Sequence, residues 1–290
     1  MNRTLKFIFN HPLTRNNRFS AIINLLKWQI FSRVINFPIV YQFTEKSKLL
    51  VWRGLTGATG NFYCGLHEFE DMAFLLHTLR EDDLFLDIGA NVGSYTMLAS
   101  SEIGAKTIAF EPILKTFKIF SQNIAINSIQ DKVEALNIGL GSCKSVLKFT
   151  TSFDTGNHVS SPGDTESTEV NVDTLDNILS GRSPLLMKID VEGFETEVLN
   201  GSSNTLEDKS LKAIIIELNG SGDRYGFDEK NIHLLLLNHG FNPYKYDPMV
   251  RDLTVKLPGG HHNTLYIRDL DFVKERLKTA RKIKVKNKEV

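Results

Sequence analysis

Short apolar runs, each closed by a polar or glycine-bearing turn, recur through the middle of the chain. Leu84–Ile88, Thr107–Phe110, Val133–Asn137, Leu185–Ile189 and Ala213–Leu218 are the runs whose length and bounding residues predict buried strands. Between them, apolar residues return at helical spacing over Ser94–Ser101, Leu114–Asn127, Thr174–Leu179, Glu195–Leu206 and Glu229–His239. Strands alternating with helices predict an α/β fold with a doubly wound, mostly parallel sheet. Ligands of such sheets collect at the carboxyl ends of the strands. Tyr244–Tyr246, Val255–Leu257 and Thr264–Ile267 read as closing strands. Gly139–Ser142 followed by Val146–Phe149 predicts a hairpin turning near Ser142–Lys144. The polar stretch Thr151–Glu169 reads as a surface loop of the kind that carries substrate contacts.

Before this core the pattern changes. Residues 1–45 read as helical, Lys48–Trp52 as a short strand, Gly54–Gly65 as a glycine-rich loop and Glu68–Leu79 as a helix. The division predicted is an N-terminal helical extension over 1–80, a core domain over 81–270 and a basic tail over 271–290. From Lys274 the tail reads as a solvated helix that frays. Phe19, Ile22, Ile23, Leu26, Ile30 and Val34 lie on one helical face, with Asn24, Lys27 and Arg33 elsewhere on the wheel. The spacing favours a helix packed on the domain by that face. The alternative, given Trp28 and the basic residues, is a helix lying on a membrane surface. Lys27, Arg33 and Pro38 interrupt the run too often for a membrane-spanning helix. No secretory signal is read at the N-terminus, where Asn10, His11, Pro12 and Arg15 break any apolar core.

Composition narrows the classes further. With 290 residues, 41% hydrophobic and 23% charged, the chain can bury a sizeable core. Lys plus Arg and Asp plus Glu balance at 34 each, which gives no sign of a nucleic-acid partner. Cys64 and Cys143 lack metal or redox spacing, in keeping with a reducing, cytoplasmic setting.

The chemistry concentrates at two strand ends. Leu86-Asp87-Ile88-Gly89-Ala90-Asn91-Val92-Gly93 is a strand running into a tight turn, and Phe110-Glu111-Pro112 ends the next strand 111 − 87 = 24 residues on. A glycine turn followed by a carboxylate one strand later is how such sheets grip a nucleoside, the acid bonding ribose hydroxyls. Asp87 would repel a pyrophosphate but suits the cationic amino and sulfonium groups of S-adenosylmethionine. Asp87, Gly89, Asn91, Gly93 and Glu111 are the predicted cofactor residues, with Asn137 near the adenine. Asp190 and Glu192 then arrive together at the end of a central strand, where paired acids call for a cation, a proton or substrate hydroxyls. Asp190, Glu192 and the loop residue His158 are the candidate catalytic groups. His67 is a further candidate base. Oxygen ligands for Mg²⁺ could come from Asp190 with Glu217 and Asn219, but no metal is assigned. His261-His262 is not read as a ligand pair, because neighbours on a strand point to opposite faces.

These two motifs, with Val172-Asp173-Thr174-Leu175-Asp176 and Lys188-Ile189-Asp190-Val191-Glu192-Gly193-Phe194-Glu195, resemble in order and spacing the FkbM family of S-adenosylmethionine-dependent methyltransferases. The resemblance covers about residues 80–245. It departs from the family at Phe194, where a small residue or His is common. It implies a class I, Rossmann-like methyltransferase fold and O-methylation, commonly of sugar or polyketide hydroxyls. The expected acceptor is a small molecule or glycan, and Tyr63 and Tyr225 are offered as rings that stack on sugars. The rival readings are an NAD-dependent oxidoreductase of similar topology and a non-catalytic, membrane-associated scaffold.

Overall fold

The computed structural model describes residues 3–15, 18–35, 37–256, 263–286 and 288–290. The pair His261-His262 and Leu257 lie outside them. The N-terminal part comprises α1 (Arg3–Asn10), α2 (Arg18–Val34), β1 (Ile39–Gln42), β2 (Lys48–Val51), α3 (Thr56–Cys64) and α4 (Phe69–Thr78). Then follow β3 (Leu84–Ile88), α5 (Ser94–Thr96) widening into π-helical turns over Met97–Ile103, β4 (Lys106–Phe110), α6 (Leu114–Asn127) and β5 (Val133–Leu136). Next come β6 (Gly139–Leu140), β7 (Ser145–Thr150), β8 (Ser167–Asp173), α7 (Leu175–Leu179), β9 (Leu186–Ile189), α8 (Glu195–Asn200), α9 (Ser203–Glu207) and β10 (Ala213–Glu217). The chain closes with α10 (Glu229–Asn238), β11 (Asn242–Asp247), β12 (Asp252–Val255), β13 (Asn263–Ile267), α11 (Leu270–Thr279), β14 (Lys284–Val285) and β15 (Lys288–Glu289).

The central sheet has the order β12-β11-β13-β10-β9-β3-β4-β5. From β10 to β5 the neighbours run parallel, whereas β13 pairs antiparallel with β10 and β11. This is the doubly wound α/β arrangement the alternation predicts. Its strands are apolar on both sides: Phe85, Leu186 and Ile215 enter one core, while Leu86, Met187 and Ile214 enter the other. Consecutive strands β3 and β4 are neighbours, but the chain returns as β9 on the opposite flank of β3. The resulting crevice at the carboxyl ends of β3 and β9 is the switch point where such folds bind ligands.

Several elements differ from the sequence reading. No β6–β7 hairpin forms, because β8 lies between the two strands, parallel to β6 and antiparallel to β7. Thus the end of the presumed surface loop, Ser167–Glu169, belongs to a strand whose Val170 and Val172 are buried. Their period-2 alternation was visible but is short and set among polar residues. The glycine-rich Gly54–Gly65 is mostly helix α3. Its glycines serve close packing: a Cβ on Gly57 would meet Asn91 Oδ1 at 2.9 Å, and one on Gly60 the His67 ring at 2.3 Å. The helix expected over Glu195–Leu206 breaks at Gly201, which runs against the Gly141 carbonyl.

α2 packs by a face other than the one predicted. Ala21, Leu25 and Trp28 are buried, together with residues of α1 and α3, and Phe19, Leu26, Ile30 and Val34 face outward. Tail and N-terminal layer also meet. Beyond α11 the chain does not fray: Ile283, Val285 and Val290 are buried in the main core with Leu13, Phe43 and Leu66. Glu102 ties these parts together, accepting from Thr44 Oγ1 at 2.6 Å, the Lys46 amide at 2.9 Å and Arg281 Nη2 at 2.5 Å. Ile283→Ala is therefore expected to cost about 3 kcal/mol of stability, the scale for truncating a fully buried aliphatic side chain. Urea unfolding would check it, since a fraying tail would show almost no loss.

Candidate active site

The turn after β3 is shaped by a backbone crossing. Gly89, at φ 80°, passes so close to β9 that a Cβ there would lie 1.8 Å from the Asp190 carbonyl oxygen. The Asp190 amide in turn donates to Ile88 O at 3.0 Å. Only glycine fits such an approach in this conformation. Gly93, also left-handed, leaves room for the Phe120 ring. Asn91 takes φ 52° without being glycine, and its side-chain oxygen accepts from the Val92 amide at 2.8 Å. Short polar residues tolerate that region through such local bonds.

Asp87 is buried at the end of β3. Its Oδ2 accepts from the Thr96 amide at 3.0 Å and the Thr96 hydroxyl at 2.6 Å, which fixes the start of the following helix. Its Oδ1 is buried with no partner among the described residues. Burial raises the Asp87 pKa, opposed by the Lys188 charge and the Thr96 bonds. Glu111, one strand over, accepts from the Asn91 amide at 3.0 Å and the Ile113 amide at 2.9 Å. The second strand's acid and the first strand's turn are thus clamped together. Burial pushes the Glu111 carboxyl up to about 7 against the pull of these two bonds. Asn137 follows β5 and donates to the carbonyls of Glu111 and Pro112 at 2.8 and 2.9 Å, so it braces the same corner.

On the other side of the crevice stand Asp190 and Glu192. Glu217, at the end of the adjacent strand β10, joins them, and carboxylate oxygens of all three lie within 4.8 Å of one another. Asn219 does not: its side-chain oxygen is spent on the Ser221 amide at 2.9 Å. Burial, then the neighbouring carboxylates, pushes Glu192 up to about 7 and Glu217 up to about 9. Glu192 sits at φ 55° and its carbonyl accepts from Arg224 at 3.0 Å. Glu195 shapes this loop from the start of α8, accepting from the Val191 and Gly193 amides at 3.1 and 3.2 Å.

Lys188 is the group that the sequence reading left without a role. Its buried ammonium lies 2.7 Å from Asp190 Oδ2 and 4.9 Å from the centre of the Tyr95 ring. Burial alone would lower its pKa, but Asp190, Glu68 and Asp87 outweigh that and raise it. Tyr95 donates to Glu68 at 2.7 Å, which links α4 to the site. This cation offsets the charge of Asp190. Glu217 stands beside Asp190 as adjacent strand ends predict, whereas Glu68 comes from a distant part of the chain and no spacing rule connects it to Asp190.

His158 and His67 are held by bonds and packing of their own. His158 is buried in the β7–β8 loop, with Nδ1 2.8 Å from Gly156 O and Nε2 3.4 Å from Asp164. Both nitrogens hold the loop together. His67 packs on Phe7 and under Gly60 in the N-terminal layer. Tyr63 is a core residue of that layer rather than a stacking surface. Tyr225 packs against Phe194 and Phe227, and its hydroxyl donates to Val159 O at 2.6 Å. Phe194, passed over in the sequence, therefore joins an aromatic group beside the acids. The β7–β8 loop reaches α3 as well: Asp154 accepts from the Thr56 amide at 3.0 Å and its hydroxyl at 2.6 Å, at the start of that helix.

Residues 87–243 match the methyltransferase FkbM domain model. The hexuronic acid methyltransferase AglP of Haloferax volcanii is 31% identical over 172 residues, 58% of this chain and 67% of its own length. Methyltransferase 1 of Beauveria bassiana is 27% identical over 176 residues, covering 52% of this chain and 70% of that protein. Among solved structures, the methyltransferase FkbM of Methylobacillus flagellatus aligns with 13% identity and a TM-score of 0.46. That alignment covers 65% of this chain and 44% of the other, so the chain spans less than half of that structure's length.

The acid group has a consequence for stability. An acid whose pKa is raised on folding keeps a proton that the unfolded chain has released, so it lowers stability as pH rises through that interval. For Glu217 the interval runs from its ordinary 4.5 to about 9. Glu217→Gln should flatten the fall in melting temperature across that range relative to the unaltered protein. Parallel curves would show that Glu217 holds no such proton.

Proposed function

The chain belongs to the FkbM family of methyltransferases, and on that footing we propose that it moves a methyl group from S-adenosylmethionine to a hydroxyl of a glycan or other polyhydroxylated metabolite. What carries this reading is the meeting, across one backbone crossing, of the Glu111-clamped turn and the Asp190–Glu192–Glu217 acids. The turn suits a cationic nucleoside cofactor. Asp87 Oδ1 is a buried acceptor lacking a partner, which a ligand ammonium would satisfy. Glu111 keeps lone pairs beyond those used by its two amides, and these fit ribose hydroxyls. Gly89, Asn91 and Gly93 form the turn beneath, and Asn137 borders the adenine side. The same features argue against NAD, whose pyrophosphate would face Asp87.

When bound, S-adenosylmethionine supplies a methyl group already activated on a sulfonium. The chain's own residues then have to hold an acceptor oxygen in line and relieve it of its proton. Asp190, oriented by Lys188, is the group assigned to accept the hydrogen bond of the acceptor hydroxyl. Glu192, pushed up to about 7, is matched to taking that proton near neutral pH. His158 is less suited to the base role, since both of its nitrogens are engaged. Methylation at a neutral hydroxyl suits this negatively charged cluster better than methylation at a carboxylate. The relative named for a hexuronic acid supports a sugar as acceptor. The Phe194–Tyr225–Phe227 rings offer an apolar wall for one.

Glu111→Ala should weaken S-adenosylhomocysteine binding about tenfold or more, a loss of about 1.4 kcal/mol, in calorimetric titration with NAD as the control. NAD binding in place of S-adenosylhomocysteine would overturn the cofactor assignment. Asp190→Ala should lower methyl transfer about 10²-fold or more while leaving S-adenosylhomocysteine affinity unchanged. Turnover equal to the unaltered protein's would remove Asp190 from the mechanism.

A further inference from the structure

α2 is apolar on two opposite faces. At about 100° per residue along a helix, Ala21, Leu25, Trp28 and Ser32 project to one side. All four are buried. Phe19, Leu26, Ile30 and Val34 project to the other and are 77%, 55%, 64% and 74% exposed. Ile22 borders this outer stripe and Ile23 falls within it, both half-buried. Just past the helix, Phe37 and Val40 are exposed too. An apolar stripe of this length turned toward water marks a contact surface.

Charge identifies the partner. Lys27 and Arg33 flank the outer stripe and are exposed; Arg18, over the Phe9 ring, is exposed too, as are Lys6 and Arg15. Residues 1–44 hold Arg3, Lys6, Arg15, Arg18, Lys27 and Arg33 and no acid, a net +6 in a chain whose total charge is zero. A second copy laid on this face would bring the same positive charge and be repelled. An anionic phospholipid surface offers what the face lacks: an apolar layer for the stripe and negative headgroups at the level of the flanking bases. The 17-residue helix is about 26 Å long, short of the roughly 30 Å hydrocarbon core. Among the described residues no helix is long and apolar enough to cross a membrane. The orientation is therefore in the plane of the surface.

We propose that α2 docks this protein on an anionic membrane, inserting Phe19, Leu26, Ile30 and Val34 while Lys27 and Arg33 meet the headgroups. The inference does not depend on the methyltransferase reading. Its test is flotation of the full chain with vesicles rich in phosphatidylglycerol or made of phosphatidylcholine alone. Expected is co-flotation with the first, weakened by added salt, and binding about tenfold or more weaker with the second. Ile30→Glu and Leu26→Glu, at exposed positions, should abolish flotation with no change in melting temperature. Lys27→Glu combined with Arg33→Glu should reduce it about tenfold or more. Failure to float with anionic vesicles, or flotation unaltered by Ile30→Glu, would overturn the proposal. So would a dimer in buffer that Ile30→Glu converts to monomer without any lipid binding, since a second copy would then be the occupant.

Discussion

One buried ammonium organises the functional half of the molecule. Lys188 rises from β9 into a space surrounded by the carboxylates of Asp190, Asp87 and Glu68, with the Tyr95 ring beneath it. Without that charge the buried Asp87 and the half-buried Asp190 and Glu68 would crowd like charges together with no cation among them. With it, β3, β9 and α4 share an electrostatic centre, and the acids project toward the crevice in fixed positions. The Gly89–Asp190 backbone crossing adds a steric lock to the same junction.

The sheet was readable because its strands are buried on both faces and so appear as uninterrupted apolar runs. Leu84–Ile88 and Leu114–Asn127 come out with the boundaries their patterns suggest. The small sheet of β6, β7 and β8 was not readable in the same way. Its partners are set by tertiary pairing, and Gly139–Leu140 is too short to announce which strand it joins. Composition misled at Gly54–Gly65, where glycine reads as a loop but serves helix packing. In α2 the apolar spacing was real, yet a helix with apolar residues on both sides offers periodicity alone no way to choose the inner one.

The site divides along the same line. Asp87, Gly89 and Glu111 sit at strand ends whose order the pattern fixes, so their meeting at one turn follows from the topology. Glu217 is legible as an acid ending the strand beside that of Asp190, whereas Glu68 reaches the site only through the lateral placement of α4, which no local motif encodes. Lys188 opens the Lys188–Glu195 motif and still has no role in the sequence, because a lysine in an apolar strand reveals its role only once the surrounding carboxylates are seen. His158 shows the converse: a suggestive residue type whose hydrogen bonds commit it to its own loop.

The burial of Ile283, Val285 and Val290 bears on how the chain acquires its shape during synthesis. These residues complete a core that also contains Leu13, Phe43 and Leu66, from near the opposite end of the chain. Contacts of such large sequence separation form late and slowly. On the ribosome, the parallel strands can pair as they emerge, but the layer built from Leu13 to Leu66 keeps an open apolar flank until residues 283–290 have left the exit tunnel. The nascent protein therefore passes through a long interval in which a nearly finished sheet still exposes part of its interior, the condition under which chaperones engage a chain.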